Sequence, residues 1–174
     1  LPTIDFFPDI MHVNDWQAAL IPTYLKTENW DERYKNIKTV LTVHNIIFQG
    51  RYGKQILTDV LGIDQKFDNL LDCDGDVNIL KAAIMTCDKF TTVSPTYAEE
   101  IKTQQFSHGL SSIVKANEGK LVGILNGLDY DFYNPETDKV IYTNYSANDL
   151  SNKAKNKELL QKEMGLEVNA EKPI

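Results

Sequence analysis

Residues 38–45, KTVLTVHN, combine a run of β-branched and apolar side chains with an abrupt polar end. The first six residues predict a β-strand, and their nearly continuous apolar character is typical of a strand buried on both faces of a parallel sheet. His44 and Asn45 follow directly, at the predicted carboxyl end of this strand. Because open α/β sheets bind ligands beyond the carboxyl ends of their strands, these two side chains are candidates for a functional site.

Short apolar strands and helical segments alternate on both sides of this segment. Further strands are predicted at 9–13, 89–93 and 121–125, and helices at 16–26, 55–61 and 77–87. Another helix is predicted to begin at Pro95, capped by Ser94, with Tyr97 and Ile101 facing inward. The alternation predicts an α/β fold: a Rossmann-like parallel sheet flanked by helices.

The chain changes character near residue 138. Residues 138–163 are polar and rich in Asn and Lys, which predicts one or two surface helices, ended by Gly165. Residues 172–174 resemble the start of another strand. We therefore predict a lobe at 1–138 and a polar helical linker at 139–174. The Pro-punctuated apolar opening, LPTIDFFPDI, is interpreted as an internal segment of a longer protein.

Composition limits the possible partners. The 174 residues carry a net charge of -7, which argues against a surface that follows nucleic-acid phosphates. No segment approaches the roughly 20 apolar residues that span a bilayer, so no membrane partner is expected. Cys73 and Cys87 are isolated and lack metal-ligand spacing, so we expect reduced thiols in a cytoplasmic protein and no bound metal.

Polar clusters fall at the predicted strand ends, in residues 12–16, 44–45 and 126–129, and residues 94–97 begin a helix. Each also has a structural interpretation. Asp15 is an ordinary helix cap on spacing alone, and His44 could bond a backbone group. Asn126 and Gly127 could form only a turn. Their convergence indicates a site without identifying a reaction.

The order of four blocks resembles the glycogen and starch synthase family of bacteria. The blocks are PDIMHVNDWQAALIPTYLK (8–26), TVLTVHNIIFQGRY (39–52), NILKAAIMTCDKFTTVSPTYAEEI (78–101) and GILNGLDYDFYNPETD (123–138). They match the family's Asp-Trp pair, Val-His-Asn block, Val-Ser-Pro-x-Tyr-Ala signature and Asn-Pro-x-Thr-Asp block. Together they cover most of the chain, so the resemblance is specific.

This resemblance implies the incomplete N-terminal, acceptor-side lobe of a two-lobed GT-B glycosyltransferase. Such enzymes transfer glucose from ADP-glucose to the non-reducing end of an α-1,4-glucan, with retention of configuration and without a cofactor. Carried over, His44 and Asp15 are the expected catalytic-site residues. The expected substrate-binding or supporting residues are Asn126, Asp129, Asn45, Gln49 and Tyr97.

The sequence also departs from the family. Asn14 and Gln17 stand where many members carry His. The family's Lys-x-Gly-Gly-Leu loop and its second lobe, which supplies cations for the diphosphate, do not occur in these 174 residues. Neither Lys81 nor Arg51 is expected to replace that cation pair. We therefore expect the isolated chain to be inactive.

Two other functions stay open at this point. Tyr130, Phe132 and Tyr133 could stack on sugar rings in a glucan-binding module that performs no chemistry. Another two-lobed nucleotide-sugar glycosyltransferase, such as a sucrose or trehalose-phosphate synthase, is the third interpretation, although the combination of blocks weighs against it.

Overall fold

The computed structural model describes residues 6–28 and 32–174. Its strands and helices follow the predicted alternation. They are, in chain order, β1 (Ile10–Asn14), α1 (Asp15–Ala18), α2 (Leu20–Thr27), β2 (Lys38–Val43), β3 (Arg51–Gly53), α3 (Ile56–Asp59), α4 (Asp68–Leu71), β4 (Asp72–Cys73), β5 (Asp76–Asn78), α5 (Ile79–Thr86), β6 (Lys89–Thr92), α6 (Pro95–Glu100), α7 (Ser111–Ala116), β7 (Leu121–Gly123) and α8 (Ser151–Glu163). The α/β fold class is thus confirmed.

The main sheet is parallel, with strand order β1-β2-β6-β7. Each strand is added beside the previous one in the same direction, and βαβ crossovers are almost always right-handed. Such a sheet carries its connecting helices on one face. Strand β2 shows the consequence: Leu41 and Val43 are fully buried, whereas Val40 and Thr42 on the other face are only half-buried.

The prediction that residues 38–43 are buried on both faces is therefore wrong for this chain. The apolar run reflects β-branched residues suited to a strand, and burial alternates along it. The buried face contributes to one core with α5, in which Leu80, Ile84 and Phe90 have no exposed surface.

A second, three-stranded antiparallel sheet has the order β3-β5-β4. It lies between β2 and α5 in the sequence, where we predicted only a short helix at 55–61. A turn at Asp74 and Gly75, both with positive φ, joins two of its strands into a hairpin. This small sheet brings residues 51–53, which follow the β2 loop, against the start of α5.

The chain divides into two compact units, one ending at Asn126 and one spanning Gly127–Ile174. In the second unit, Gln161 of α8 is buried and bonds both the backbone N–H and the C=O of Asn169, at 3.2 and 3.0 Å. Gly165 ends α8 with φ 66, as predicted. Residues 172–174 are not in a strand.

No helix within the described ranges combines the length and the apolar character needed to cross a lipid bilayer.

Candidate functional site

Asp15 and His44 meet at the carboxyl ends of β1 and β2. Asn14 pairs with Thr42 in the parallel register, so the residues that follow the two strands are neighbours. The carboxylate oxygen Oδ1 of Asp15 accepts a hydrogen bond of 2.8 Å from the backbone N–H of His44. Asp15 is also one of the non-glycine residues with positive φ, at 51°. Backbone strain of this kind is typical of functional sites.

The structural interpretation of Asp15 as a cap of the following helix is wrong. Asn14 occupies the N-cap position of α1, and its side chain makes no capping hydrogen bond. The Asp15 carboxylate binds His44 instead. The predicted helix 16–26 is correspondingly broken at Ala19, which separates α1 from α2.

The His44 side chain is exposed, and its Nε2 lies 3.0 Å from Asn14 Oδ1. An amide oxygen only accepts, so His44 Nε2 carries the proton in this contact. The imidazole is thus oriented by a β1 side chain while its backbone is held by Asp15. This leaves an oriented ring at the surface that can exchange hydrogen bonds with a hydroxyl-rich ligand.

The loop that follows β2 is fixed by hydrogen bonds at successive residues. The Asn45 side chain accepts a 3.0 Å bond from the backbone N–H of Ile47. The backbone N–H of Ile46 donates to the hydroxyl oxygen of Tyr97 at 3.2 Å. Tyr97 lies in α6, which Ser94 caps with a 2.8 Å bond from the Tyr97 N–H, as predicted. Asn45 and Tyr97 therefore both act on the conformation of this loop.

Gln49 is buried, and its carboxamide is used entirely inside the protein. Nε2 donates to the carbonyl oxygens of Ile46 and His108 at 3.1 and 3.0 Å. Oε1 accepts a 2.7 Å bond from Asn78 Nδ2, and Asn78 Oδ1 caps α5. This arrangement supports the loop from within.

Gly50 allows the end of the loop to pass over Trp16. A Cβ atom on Gly50 would lie 2.6 Å from Cε3 of the Trp16 ring, and Gly50 has φ 63. Tyr52 packs against the same indole, with ring centroids 6.1 Å apart. Because Trp16 follows Asp15 directly, this contact couples the loop to the residue that holds His44.

The structure brings together five of the predicted site residues. They are Asp15, His44, Asn45, Gln49 and Tyr97. Asn126 is exposed and closes the first unit, three residues after Gly123 of β7. Gly123 permits the close approach of β7 to α6, since a Cβ there would lie 2.2 Å from the Ser94 carbonyl oxygen.

Asp129 belongs to the second unit, where its Oδ1 accepts bonds from the backbone N–H groups of Asp131 and Phe132 at 3.0 and 2.9 Å. Its carboxylate therefore organises a local turn.

The cations near the site are held by other protein groups. Arg51 donates to the Cys73 carbonyl oxygen at 2.9 Å and lies 3.5 Å from the carboxylate of Asp76. Lys81 donates to the backbone carbonyl oxygens of Asn69 and Asp72. Among residues 6–28 and 32–174, no three His, Cys, Asp or Glu side chains are grouped closely enough to hold a metal ion.

Two residues of this arrangement, Asn14 and Asn78, were not among the site residues predicted from the sequence. Asn14 was noted only as a departure from the family, yet it contacts the His44 ring. Asn78, which joins Gln49 to α5, lies at a helix start where only the capping role has a sequence signal. Its second bond, to Gln49, depends on tertiary packing.

Comparisons with known proteins give a consistent result. The starch synthase catalytic domain family matches residues 1–116. Glycogen synthases of Lactococcus lactis and Ligilactobacillus salivarius are 46% and 47% identical to the chain, over all of its length and 37% of theirs. The chain therefore spans little more than a third of the length of these relatives.

A solved structure also matches. The catalytic domain of starch synthase IV from Arabidopsis thaliana, bound to ADP and acarbose, is 32% identical, with a TM-score of 0.76. The match covers 99% of this chain and 36% of that one. With the family match extending over the first 116 of 174 residues, the chain belongs to the starch synthase catalytic domain family.

Proposed function

We propose that the chain forms part of the acceptor-side, N-terminal lobe of a glycogen synthase. The whole enzyme would transfer glucose from ADP-glucose to the non-reducing end of an α-1,4-glucan, retaining the configuration at the anomeric carbon. The observation that carries this proposal is the Asp15–His44 pair at the sheet's carboxyl edge, in a chain matched along its full length by glycogen synthases. The ADP and acarbose bound by the Arabidopsis relative support a nucleotide-sugar donor and a glucan acceptor.

In this proposal, His44 and Asp15 act at the transferred glucose. The reaction develops positive charge at the anomeric carbon, which polar oxygens and dipoles close to it stabilise. The exposed His44 imidazole would contact a sugar hydroxyl, and Asp15 would hold that region through its bond to the His44 backbone. Asn126 and Asp129 are proposed to contact substrate in the whole enzyme, while Asn45, Gln49 and Tyr97 support the loop.

The chain alone should not catalyse the transfer. Departure of the nucleotide diphosphate needs cations, and both Arg51 and Lys81 are engaged in bonds within the chain. We propose that the remaining length of the enzyme supplies the cations that stabilise the departing diphosphate. We also propose that no cofactor beyond the donor substrate is needed and that the enzyme is cytoplasmic.

The test is incorporation of labelled glucose from ADP-glucose into glycogen. The full-length protein should be active, the 174-residue chain inactive, and His44→Ala should reduce the activity of the full-length protein on the order of a hundredfold or more. An inactive full-length protein would refute the proposed function. Turnover by the short chain would instead refute the proposed division of labour between the lobes.

A glucan-binding module is the competing function, because three aromatic side chains of the second unit are exposed. The exposed fractions of Tyr130, Phe132 and Tyr133 are 75%, 72% and 63%. Retardation of the isolated chain by glycogen in a native gel, lost in Phe132→Ala and Tyr133→Ala, would favour this function. Phe106→Ala is a matched control, since Phe106 is an exposed phenylalanine of the first unit.

A further inference from the structure

We propose that Gln49 is a positioning residue that sets the orientation of His44, and that it does so without touching substrate. The inference rests on the proposed function and assigns Gln49 a different role from that of a substrate-binding side chain. We use the term Gln49 clamp for the Gln49 carboxamide, the Asn78 side chain and the carbonyl oxygens of Ile46 and His108.

The clamp engages both donors of the buried amide and one of the two acceptor positions of its oxygen. Both donor positions of Gln49 Nε2 and its Oε1 have partners between 2.7 and 3.1 Å away. Gln49 has an exposed fraction of 6% and Asn78 of 0%. Buried amides of this kind are costly to leave unpaired, so the three bonds specify one conformation of the segments that they join.

The loop between His44 and Gly50 has little freedom once this clamp is formed. At its far end, the carbonyl oxygens of Gln49 and Gly50 accept from the first two N–H groups of α5, at 3.0 and 3.2 Å. In its middle, Ile46 bonds Gln49 through its carbonyl oxygen. At its start, the His44 N–H bonds Asp15. The orientation of the exposed imidazole, which Asn14 contacts directly, therefore also depends on a buried amide five residues along the chain.

The clamp also holds a second loop. The backbone of His108 has φ 48, a left-handed conformation that is uncommon for a residue with a side chain. Its carbonyl oxygen is the one bonded by Gln49. Loss of the Gln49 Nε2 donor should consequently change the conformations of both His108 and His44. His12, whose ring bonds Thr42 at 2.7 Å, should be unaffected.

Two nearly isosteric variants remove different halves of the clamp. Gln49→Glu removes both donors of Nε2. Asn78→Asp removes the donor to Gln49 but retains an oxygen to accept the 2.9 Å bond from the Lys81 N–H. The matched control is Gln161→Glu, because Gln161 is also buried and also bonds two backbone groups, in the second unit.

The kinetic experiment is a double-mutant cycle in the full-length protein. Misplacement of a catalytic group by about 1 Å can cost on the order of a hundredfold in rate, so both clamp variants should lower kcat about 10- to 100-fold. If they act through His44, the same changes should have an effect of about twofold or less in the His44→Ala background, since coupled residues are non-additive. Equal losses in both backgrounds, or no loss in the wild-type background, would overturn the proposal.

A spectroscopic readout keeps the test independent of activity. In protein labelled with ¹³C at histidine Cε1, with signals assigned by single His→Ala variants, Gln49→Glu should shift the His44 and His108 signals. The His12 signal should stay in place, and Gln161→Glu should move none of the three. An unmoved His44 signal in Gln49→Glu overturns the clamp even if the enzyme is active. An inactive wild-type enzyme refutes the proposed function, and the histidine signals still decide on the clamp.

Discussion

The backbone N–H of His44 donates to Asp15 Oδ1 at 2.8 Å, a bond between residues 29 positions apart in the sequence. It joins the residue after β2 to the residue after β1, and it replaces the helix cap that the sequence favours for Asp15. The positive φ of Asp15 places its carboxylate where this bond can form. The two candidate catalytic residues are thus one structural unit.

Replacing Asp15 should separate this structural role from the effect of charge. Asp15→Asn keeps an oxygen acceptor and a residue type that tolerates positive φ, so the free energy of unfolding of the chain should change by less than about 0.5 kcal/mol. The same substitution should lower the proposed transferase activity of the full-length protein. Asp15→Ala loses the bond as well and should destabilise the chain by about 1 to 3 kcal/mol in urea unfolding.

Asp74→Ala is the matched control for Asp15→Ala, because Asp74 has a similar φ of 55° in an exposed turn. It should cost about 1 kcal/mol, mostly from the change in backbone preference, since the 3.9 Å ion pair of Asp74 with Arg51 is solvent-exposed and contributes little. Equal destabilisation by the two alanine variants would mean that the bond to His44 adds nothing to stability.

Gly50 should be intolerant of any side chain. Gly50 and Gly62 have almost the same φ, 63° and 64°, but a Cβ meets Trp16 only at Gly50. Gly62→Ala should therefore cost about 1 to 2 kcal/mol of unfolding free energy from backbone strain alone. Gly50→Ala should cost about 1 to 3 kcal/mol more, because the Trp16 ring must move. Indistinguishable urea midpoints for the two variants would show that the Trp16 ring moves without lowering the free energy of unfolding.

The local signals predicted the fold well. The β-branched run of β2, the Ser94-Pro95 helix start and the Gly165 helix end each specify their structure within a few residues, and all three are present. The grouping of His44 with Asp15 followed from a general rule about strand ends. These features depend either on residues close together in the sequence or on a property shared by open α/β sheets in general.

What the sequence did not predict depends on long-range contacts. The break at Ala19 accompanies a carboxylate that binds residue 44 and not its own helix. The small antiparallel sheet pairs Arg51 with Asn78, and no short sequence pattern indicates this pairing. The burial of Gln49 requires the His108 and Asn78 segments to be in place.

Acid should destabilise the chain through Asp88, which joins the starts of β6 and β2. Its Oδ2 accepts bonds from the backbone N–H and the hydroxyl of Thr39, at 2.8 and 3.1 Å. Burial by itself raises the pKa of Asp88, but the bonds from Thr39 and the charge of Lys38 outweigh it, and the pKa lies below the ordinary value of 3.8. Because the pKa of Asp88 is lower in the folded state, its ionised carboxylate stabilises the folded chain at pH values above the unfolded-state pKa. This stabilisation is lost as the pH falls through the folded-state pKa.

Asp88→Asn should therefore lower the free energy of unfolding at pH 7 by about 1 to 2 kcal/mol and flatten its decline below pH 4. Asp131→Asn removes the same charge from an exposed position and should leave the pH dependence nearly unchanged. The measurement is urea unfolding at a series of pH values. A wild-type decline that persists in full in Asp88→Asn would assign acid sensitivity to other carboxylates.

The two thiols should differ strongly in reactivity. Cys87 has an exposed fraction of 1%, and burial raises its pKa to about 11, whereas Cys73 is partly exposed at the hairpin. Because the thiolate is the reacting species, an aromatic disulfide reagent at pH 8 should modify Cys73 rapidly and Cys87 only after local or global opening. Cys73→Ser should abolish the fast phase, and Cys87→Ala should abolish the slow one. Since Cys87 directly precedes Asp88 and β6, its modification rate should rise with urea concentration in parallel with unfolding. A modification rate independent of urea would mean that the reagent reaches the thiol without opening the sheet.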